Sequence, residues 1–277
     1  MLHAVGVSHA RNGRELLSQA SVQVRPGKLT ALVGSNGAGK STLLKVLAGH
    51  WDASAGEVRM AGVALVELSA LELAKQRAML AQENHVAFDF SVAEVVMMGR
   101  YPHHQGNPTH ADQRACAHAM TLADCAAMHE RRVSALSGGE RARVQLARVL
   151  AQVLDAEPVR LNSPARYLLL DEPAAALDLA HQYQLFVLLQ SLAHEHGLGV
   201  LVTVHDLNLA ARFADDIVLL RAGRVTHAGT PSECLTASRL AEDFAVEAQV
   251  WQHPAGAPLI VPIRALNTQS APARTTH

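Results

Sequence analysis

The segment LVGSNGAGKSTL, residues 32–43, decides the fold. It follows an apolar run and leads into a helical pattern, and Gly34, Gly39, Lys40 and Ser41 fill the phosphate-loop spacing G-x-x-x-x-G-K-[ST]. Glycines let the backbone curl so that successive N–H groups face one small volume, and the following helix adds the positive partial charge of its N-terminus. The alternative is a glycine-rich turn that matches by chance. The segment predicts a site for nucleotide phosphates, and it does not specify the base.

In such a loop the lysine reaches the β- and γ-phosphates, and the serine hydroxyl binds Mg²⁺. The nucleotide is then held mainly by fixed backbone dipoles and one cation. The residues predicted to line it are Gly34, Ser35, Asn36, Gly37, Ala38, Gly39, Lys40, Ser41 and Thr42.

Length and composition limit the function classes. A chain of 277 residues that is 49% hydrophobic and 18% charged can bury one large core or two smaller ones. The formal net charge of −1 gives no electrostatic case for binding nucleic acid. The N-terminus lacks the pattern of a signal peptide, and no window reaches 18 consecutive apolar residues. We therefore expect no membrane span, and at a membrane only the role of a peripheral subunit.

Cysteine and histidine usage indicate no metal or disulfide site. Three cysteines without a C-x-x-C pair predict reduced thiols of an intracellular protein: Cys116, Cys125 and Cys234. The sixteen histidines fall in no recognised ligand spacing, so solvated surface positions are favoured over metal or haem ligation.

Strand and helix signals place the loop in an α/β core. Residues 2–9 and 16–24 alternate apolar and polar side chains around Asn12-Gly13, which predicts an antiparallel hairpin. Residues 29–33 form a short apolar run that suits a buried parallel strand. The sequence therefore has the order of strand, glycine-rich loop and helix that a phosphate loop requires.

The middle of the chain carries helix starts. Three capping boxes precede alanine-rich periodic runs: Ser91-x-x-Glu94, Thr109-x-x-Asp112 and Ser137-x-x-Glu140. The third lies in LSGGE, residues 136–140, where the hydroxyl of Ser137 and the N–H groups of Gly138 and Gly139 make a second anion site. Two anion sites in one chain need two anions or one shared nucleotide.

The second half returns to strands that end in polar residues. Residues 167–170 run into Asp171-Glu172, and residues 199–204 end at His205. Ligands of doubly wound sheets bind at such carboxyl ends. Taken alone, the acids could be a surface pair and the histidine a structural residue.

The phosphate loop and LSGGE together resemble the ATP-binding cassette (ABC) family, whose motifs occur in family order over about residues 1 to 230. The resemblance implies that Asp171, with Ser41 and Gln82, holds Mg²⁺. It also implies that Glu172 polarises the attacking water, and that Gln82 and His205 act with it at the γ-phosphate. A carboxylate suits Mg²⁺, and a nearby acceptor suits the attacking water.

The resemblance also implies a head-to-tail dimer that holds two ATP, because LSGGE of one copy completes the phosphate loop of the other. Ser137, Gly138, Gly139 and Asp178 would then contact the partner's nucleotide. The aromatic side chain that the family stacks on adenine is replaced by Arg11, whose guanidinium can stack on a purine. The alanines at 174–176, where the family carries polar residues, weaken any case for side-chain contacts at the dimer seam.

The predicted fold is α/β: a P-loop NTPase (RecA-like) core with an antiparallel β edge and an inserted helical subdomain. Residues 1–86 and 162–230 form the core, residues 87–161 the helical insertion with its signature motif, and residues 231–277 a C-terminal extension. In this extension we expect a helix from residue 231 to about residue 244 and a short strand pair around Val250 and Leu259. Together they make one ABC ATPase domain.

Three further stretches resemble a transporter group. Residues 82–103 are similar to importers of iron chelates, haem and cobalamin, and residues 155–166 and 177–182 to haemin importer ATPases. This implies an ATPase on the cytoplasmic face of the bacterial inner membrane, with a permease dimer and, indirectly, a periplasmic haem-binding protein as partners. A ferric-siderophore or cobalamin importer ATPase is the near alternative. A soluble ABC ATPase acting on DNA or ribosomes is the distant one, since no coiled-coil arm or second cassette is visible.

Overall fold

The computed structural model describes residues 1–81, 89–156, 164–175, 177–254 and 256–266. This part of the chain contains both strands and helices. The strands are β1 (Leu2–Arg11), β2 (Arg14–Val24), β3 (Lys28–Val33), β4 (Ala55–Met60), β5 (Val63–Ala64), β6 (Arg77–Leu80), β7 (Tyr167–Leu170), β8 (Gly199–Val204), β9 (Asp216–Arg221), β10 (Arg224–Gly229), β11 (Val246–Gln252) and β12 (Pro258–Ala265). The α-helices are α1 (Lys40–Leu47), α2 (Ala70–Gln76), α3 (Val92–Met98), α4 (Tyr101–His104), α5 (His110–Leu122), α6 (Gly138–Val153), α7 (Leu179–His194), α8 (Leu207–Phe213), α9 (Pro231–Cys234) and α10 (Ala237–Phe244).

A six-stranded sheet forms the centre, with strand order β10-β9-β3-β8-β7-β6. The pairs from β9 to β6 are parallel, and β10 is antiparallel to β9. The prediction of a buried parallel strand at residues 29–33 is confirmed, because β3 lies between β8 and β9. The phosphate loop therefore starts from the middle of the sheet.

The sheet is buried on both faces, which explains its nearly continuous apolar strands. In β7, Leu168 and Leu170 point into one hydrophobic core, which is shared with α3, α5, α6 and α7. Tyr167 and Leu169 point into a second core, which is shared with α1 and the N-terminal strands. Helices on one face and a second sheet on the other thus fix the strand ends in space.

The N-terminal strands form a four-stranded antiparallel sheet of order β2-β1-β4-β5. The predicted hairpin is confirmed: Asn12 (φ 52°) and Gly13 (φ 74°) make its turn in the left-handed region. Asparagine and glycine tolerate this conformation better than other residues do. The sheet covers α1 from the side opposite the helical layer.

A layer of helices, α3 to α6, covers the other face. The predicted capping boxes at Ser91, Thr109 and Ser137 are all formed. The buried Arg100 donates from Nη1 to the carbonyl oxygens of Ala151 (3.0 Å) and Leu154 (3.1 Å) and so satisfies the C-terminus of α6. The predicted limits of this insertion, residues 87 and 161, lie outside the described residues.

The C-terminal segment differs from prediction in one respect. A single helix was expected between residues 231 and 244, but the chain forms α9 and α10 instead. Thr236 starts the second helix because its hydroxyl accepts from the N–H of Arg239, 3.4 Å away. The predicted strand pair follows as β11 and β12, and Asn208 of α8 binds Ile260 of β12 through two hydrogen bonds of 3.1 and 2.8 Å.

Cysteine chemistry agrees with the prediction. Cys116, Cys125 and Cys234 are buried and unbridged, and burial raises the pKa of Cys116 and Cys125 to about 11. These thiols are inert in the folded chain. Within the described ranges, none of the helices combines the length and hydropathy needed to cross a bilayer.

Candidate functional site

Three neighbouring parallel strands deliver the predicted site residues to one edge of the sheet. The phosphate loop follows Val33 of β3 and His205 follows Val204 of β8, and Val33 pairs directly with Val204. Asp171 follows the end of β7, which pairs with β8 on its other side. Since the carboxyl ends of adjacent parallel strands share an edge, the loop, the acidic pair and the histidine meet there.

Close packing explains two glycines of the phosphate loop. A Cβ on Gly34 would collide with the carbonyl oxygen of Leu220 in β9. Gly39 has φ 105°, and a Cβ there would lie 2.8 Å from the carbonyl oxygen of Leu16 in β2. Both positions therefore need glycine. The loop is clamped between the central sheet and the N-terminal hairpin.

Lys40 is buried at the centre of the loop, with 6% of its surface exposed. Its Nζ donates to the carbonyl oxygens of Gly34 (2.8 Å) and Ser35 (3.2 Å). Burial lowers the pKa of Lys40, and the charges of Glu172 and Asp171 partly offset this. A cation in this position can bind the negatively charged phosphates of a nucleotide. This ion pair would offset the free-energy cost of burying the charge of Lys40.

A buried threonine joins the two acids. Oγ1 of Thr203 donates to Oδ1 of Asp171 at 3.1 Å and accepts from the backbone N–H of Glu172 at 2.6 Å. Asp171 is only 2% exposed, and its charge acts on Lys40 of the phosphate loop. A carboxylate at the same sheet edge as the serine of the loop offers the hard oxygen ligands that Mg²⁺ prefers. The residues present therefore fit a magnesium ion.

Glu172 has an unusual backbone. Its φ is 50°, in the left-handed region that residues with a Cβ rarely adopt. The hydrogen bond that the N–H of Glu172 donates to Thr203 fixes this conformation, and His205 Nε2 lies 2.6 Å from Oε1 of Glu172. Strained backbone of this kind concentrates at functional sites. The carboxylate is thus oriented by Thr203 of β8, which holds the backbone of Glu172, and by His205 after β8, which holds its side chain.

The second predicted anion site is the N-terminus of α6. The Ser137 side chain accepts from the N–H of Glu140 at 3.3 Å, and the N–H of Ser137 donates to the Glu140 carboxylate at 2.7 Å. Gly138 has no heavy atom within 4 Å of where a Cβ would lie. Hydrogen bonds from Ser137 and then the ion pair with Arg131 lower the pKa of Glu140 to about 2, so the cap stays charged. The side-chain contacts described for residues 137–140 beyond α6 itself are with Arg131 and Leu177, and none of them reaches the phosphate loop of the same chain.

Other predicted residues are placed as follows. Asp178 caps α7, where its Oδ1 accepts from the N–H of His181 at 2.9 Å. Arg11 ends β1, with its guanidinium over the indole of Trp51. Gln82 lies outside the described residues. Of the loop residues, Ser35, Asn36 and Gly37 are exposed, while Ala38 and Thr42 are buried.

Comparison with known proteins decides the family. The model described as ABC transporter matches residues 17–175, a range that contains the loop, LSGGE and the acidic pair. The chain belongs to the ABC transporter family. The predicted ABC-type ATPase with a P-loop NTPase fold is therefore confirmed.

Curated ABC relatives resemble the chain over nearly its whole length. The hemin import ATP-binding protein HmuV of Gloeobacter violaceus is 46% identical over 264 residues, covering 95% of this chain and 94% of the relative. The protein of the same name from Escherichia coli O157:H7 is 44% identical over 262 residues, covering 94% of this chain and 99% of the relative.

Solved ABC structures share the fold. A putative metal-chelate type ABC transporter in an inward-facing conformation has a TM-score of 0.78 at 26% identity, covering 95% of this chain and 97% of that one. The ATP-binding cassette MJ0796, solved as a dimer in a post-hydrolysis state with ADP and phosphate, has a TM-score of 0.69 at 25% identity, covering 83% of this chain and 98% of that one.

Two residues escaped the sequence predictions. Thr203 is a polar residue inside the apolar strand that leads to His205, and that contrast was the available signal. Trp51 follows the end of α1 and carried no signal, because its contact with Arg11 depends on how the hairpin packs against the helix.

Proposed function

We propose that this chain is the ATP-hydrolysing subunit of a bacterial importer, in which ATP binding and hydrolysis drive haemin through a membrane permease. The observation that carries the proposal is the meeting of the phosphate loop, Asp171, Glu172 and His205 at one sheet edge. The haemin cargo is supported by the curated relatives, which are named hemin import proteins and match nearly the whole chain.

The phosphate loop binds the triphosphate, with Lys40 on its terminal phosphates. Ser41 and Asp171, together with Gln82, hold Mg²⁺, which supplies charge neutralisation when bound. Glu172 accepts a hydrogen bond from the attacking water, and His205 orients this carboxylate and reaches the γ-phosphate.

The remaining predicted contacts come from a second copy in a head-to-tail dimer. Ser137 and Gly138 are exposed at the start of α6, so together with Gly139 they are suited to a phosphate on another chain. Each charge-assisted bond to the γ-phosphate contributes about 1.5–3 kcal/mol. A few such bonds together reach the ~5.5 kcal/mol that shifts a two-state equilibrium from almost entirely open to almost entirely closed dimer. Hydrolysis removes them, and the dimer reopens.

Two-fold symmetry follows, since one chain carries one set of each motif. The partners of this dimer are a permease dimer in the inner membrane and, indirectly, a periplasmic haem-binding protein. The chain binds the cytoplasmic face of that membrane as a peripheral subunit, built as the core 1–86 and 162–230, the helical insertion 87–161 and the extension 231–277.

The test is transport by the chain reconstituted with its permease and binding protein in proteoliposomes. Haemin uptake that needs ATP, with no uptake of ferric siderophore or cobalamin, supports the proposal. Uptake of siderophore or cobalamin alone would assign the alternative cargo. ATPase activity that no permease stimulates would favour a soluble role instead.

A further inference from the structure

Two histidine rings face each other between the helical layer and the central sheet. His118 lies on α5, and His196 lies in the turn that leads from α7 into β8. The ring centroids are 6.1 Å apart, and the planes are tilted by 46°. His196 precedes β8 whereas His205 follows it, so the two rings lie at the opposite end of that strand from the nucleotide site. We call these residues the His118–His196 pair.

The two rings are available to a ligand. Both residues are half-buried, and over the described ranges neither imidazole forms a hydrogen bond or an ion pair. Other histidines on the same two helices are engaged: His110 of α5 lies 3.1 Å from Gln113, and His194 of α7 lies 2.9 Å from an oxygen of Asp215. Burial and then the charge of His196 lower the pKa of His118. The ring is therefore neutral at pH 7, and a neutral imidazole is the form that binds metals.

The separation of the rings suits one shared metal ion. An imidazole nitrogen binds Zn²⁺ at about 2.0–2.1 Å, which places the centre of the ring about 3.2 Å from the ion. The centres of two rings on one ion are then about 5.2 Å apart at a tetrahedral angle and about 6.4 Å apart in a straight line. The observed 6.1 Å falls between these limits. Because both rings are partly exposed, water can fill the remaining positions around the ion.

We propose that His118 and His196 together bind one divalent transition-metal ion, such as Zn²⁺, Ni²⁺ or Cu²⁺, between α5 and the turn after α7. Imidazole suits these ions, whereas Mg²⁺ and Ca²⁺ prefer oxygen ligands. Among the described residues there is no group of three or more metal-ligating side chains, so two protein ligands and water hold the ion. The site is independent of nucleotide binding.

A bound ion would join the helical layer to the core. Next to His118, Ala119 is buried in the hydrophobic core that α5 shares with α6. On α7, Leu189 and Leu192 are buried in the same core beneath the central sheet. An ion that binds only the folded arrangement stabilises it. Ligand spacing in the sequence could not indicate the pair, because α5 and the end of α7 are distant in the chain.

The test is titration calorimetry of the untagged, full-length protein with the chlorides of Zn²⁺, Ni²⁺, Mn²⁺ and Mg²⁺. We expect His118→Ala and His196→Ala each to weaken Zn²⁺ and Ni²⁺ binding about tenfold or more, since each removes one of two ligands. The double variant should be no weaker than either single one. Mn²⁺ and Mg²⁺ should bind the wild type far more weakly than Ni²⁺ does. Zn²⁺ should raise the melting temperature of the wild type and of neither variant.

His110→Ala is the matched control, because it removes an exposed histidine from the same helix and should bind Zn²⁺ as the wild type does. Melting curves in EDTA check that the variants are folded. Wild-type affinity for Zn²⁺ in either His118→Ala or His196→Ala would overturn the proposal. An equal loss in His110→Ala, or a wild-type protein that binds neither Zn²⁺ nor Ni²⁺, would also reject it.

Discussion

Nε2 of His205 lies 2.6 Å from Oε1 of Glu172, so the ends of two neighbouring strands are joined through their side chains. A ring N–H that donates to the carboxylate fixes its direction at the sheet edge where the phosphate loop opens. The two residues are 33 positions apart in the chain, and only the pairing of β7 with β8 makes them neighbours.

Substitution of Glu172 tests its role with water. Glu172→Gln keeps the size of the side chain and the bond to Thr203 but removes the charge, so ATP binding should persist while hydrolysis falls about 100-fold or more. The variant should accumulate as an ATP-bound dimer, which size-exclusion chromatography detects. Near-normal phosphate release would remove Glu172 from this role.

Thr203 should affect the rate of ATP hydrolysis, because it positions both Asp171 and Glu172. Thr203→Val keeps the shape of the side chain but removes the acceptor of the Glu172 N–H, which costs about 1–3 kcal/mol. We expect hydrolysis to fall about tenfold with little change in ATP affinity. Thr203→Ser retains the hydroxyl and is the control. Equal activity of the valine and serine variants would show that the hydroxyl does not hold the site.

Lys40 should decide nucleotide affinity. Lys40→Ala removes a buried cation that lies between the loop carbonyls and the acids, and we expect ATP affinity to fall about 100-fold or more. Lys75→Ala, an exposed lysine on α2, is the control and should bind as the wild type does. Titration calorimetry measures both. Unaltered affinity of Lys40→Ala would place the site elsewhere.

Acid should loosen the helical layer through Asp112. Burial raises the pKa of Asp112, but the Thr109 cap and the Arg100 guanidinium outweigh it and lower the value to about 2. A carboxylate whose folded pKa lies below its unfolded pKa of 3.8 stabilises the fold above that pH and loses this contribution as pH falls towards 2.

The melting temperature of the wild type should therefore fall more steeply between pH 4 and pH 2 than that of Asp112→Asn, which has no such charge to lose. The asparagine variant should be the less stable protein at pH 7. Parallel curves for the two proteins across this range would show that the buried pair with Arg100 does not contribute.

Local chemistry explains why much of the fold was predictable. The turn at Asn12-Gly13 and the cap at Ser137 are set by residues close in sequence, and the structure confirms both. The split near Thr236 was missed because a single N-cap residue competes with an otherwise helical pattern. The contacts of Thr203 and Trp51 depend on which strands and helices pack together, and periodicity carries no such information.

In the site, too, some features follow from local sequence and others only from the packing of distant elements. The phosphate loop and the strand-end acids follow from spacing, whereas the left-handed backbone of Glu172 follows from the threonine of a neighbouring strand. Adenine stacking by Arg11 could be predicted only by comparison with a family. Its contact with the Trp51 ring could be found only from the packing in the structure.

The central claim, that one copy completes the phosphate site of another, is tested most directly by cross-linking. Asn36→Cys and Ser137→Cys would be introduced together into the Glu172→Gln protein, whose native thiols are buried. We expect oxidation to join two chains with Mg-ATP and not with ADP or without nucleotide. A cross-link that forms within one chain, or that is indifferent to ATP, would contradict the account.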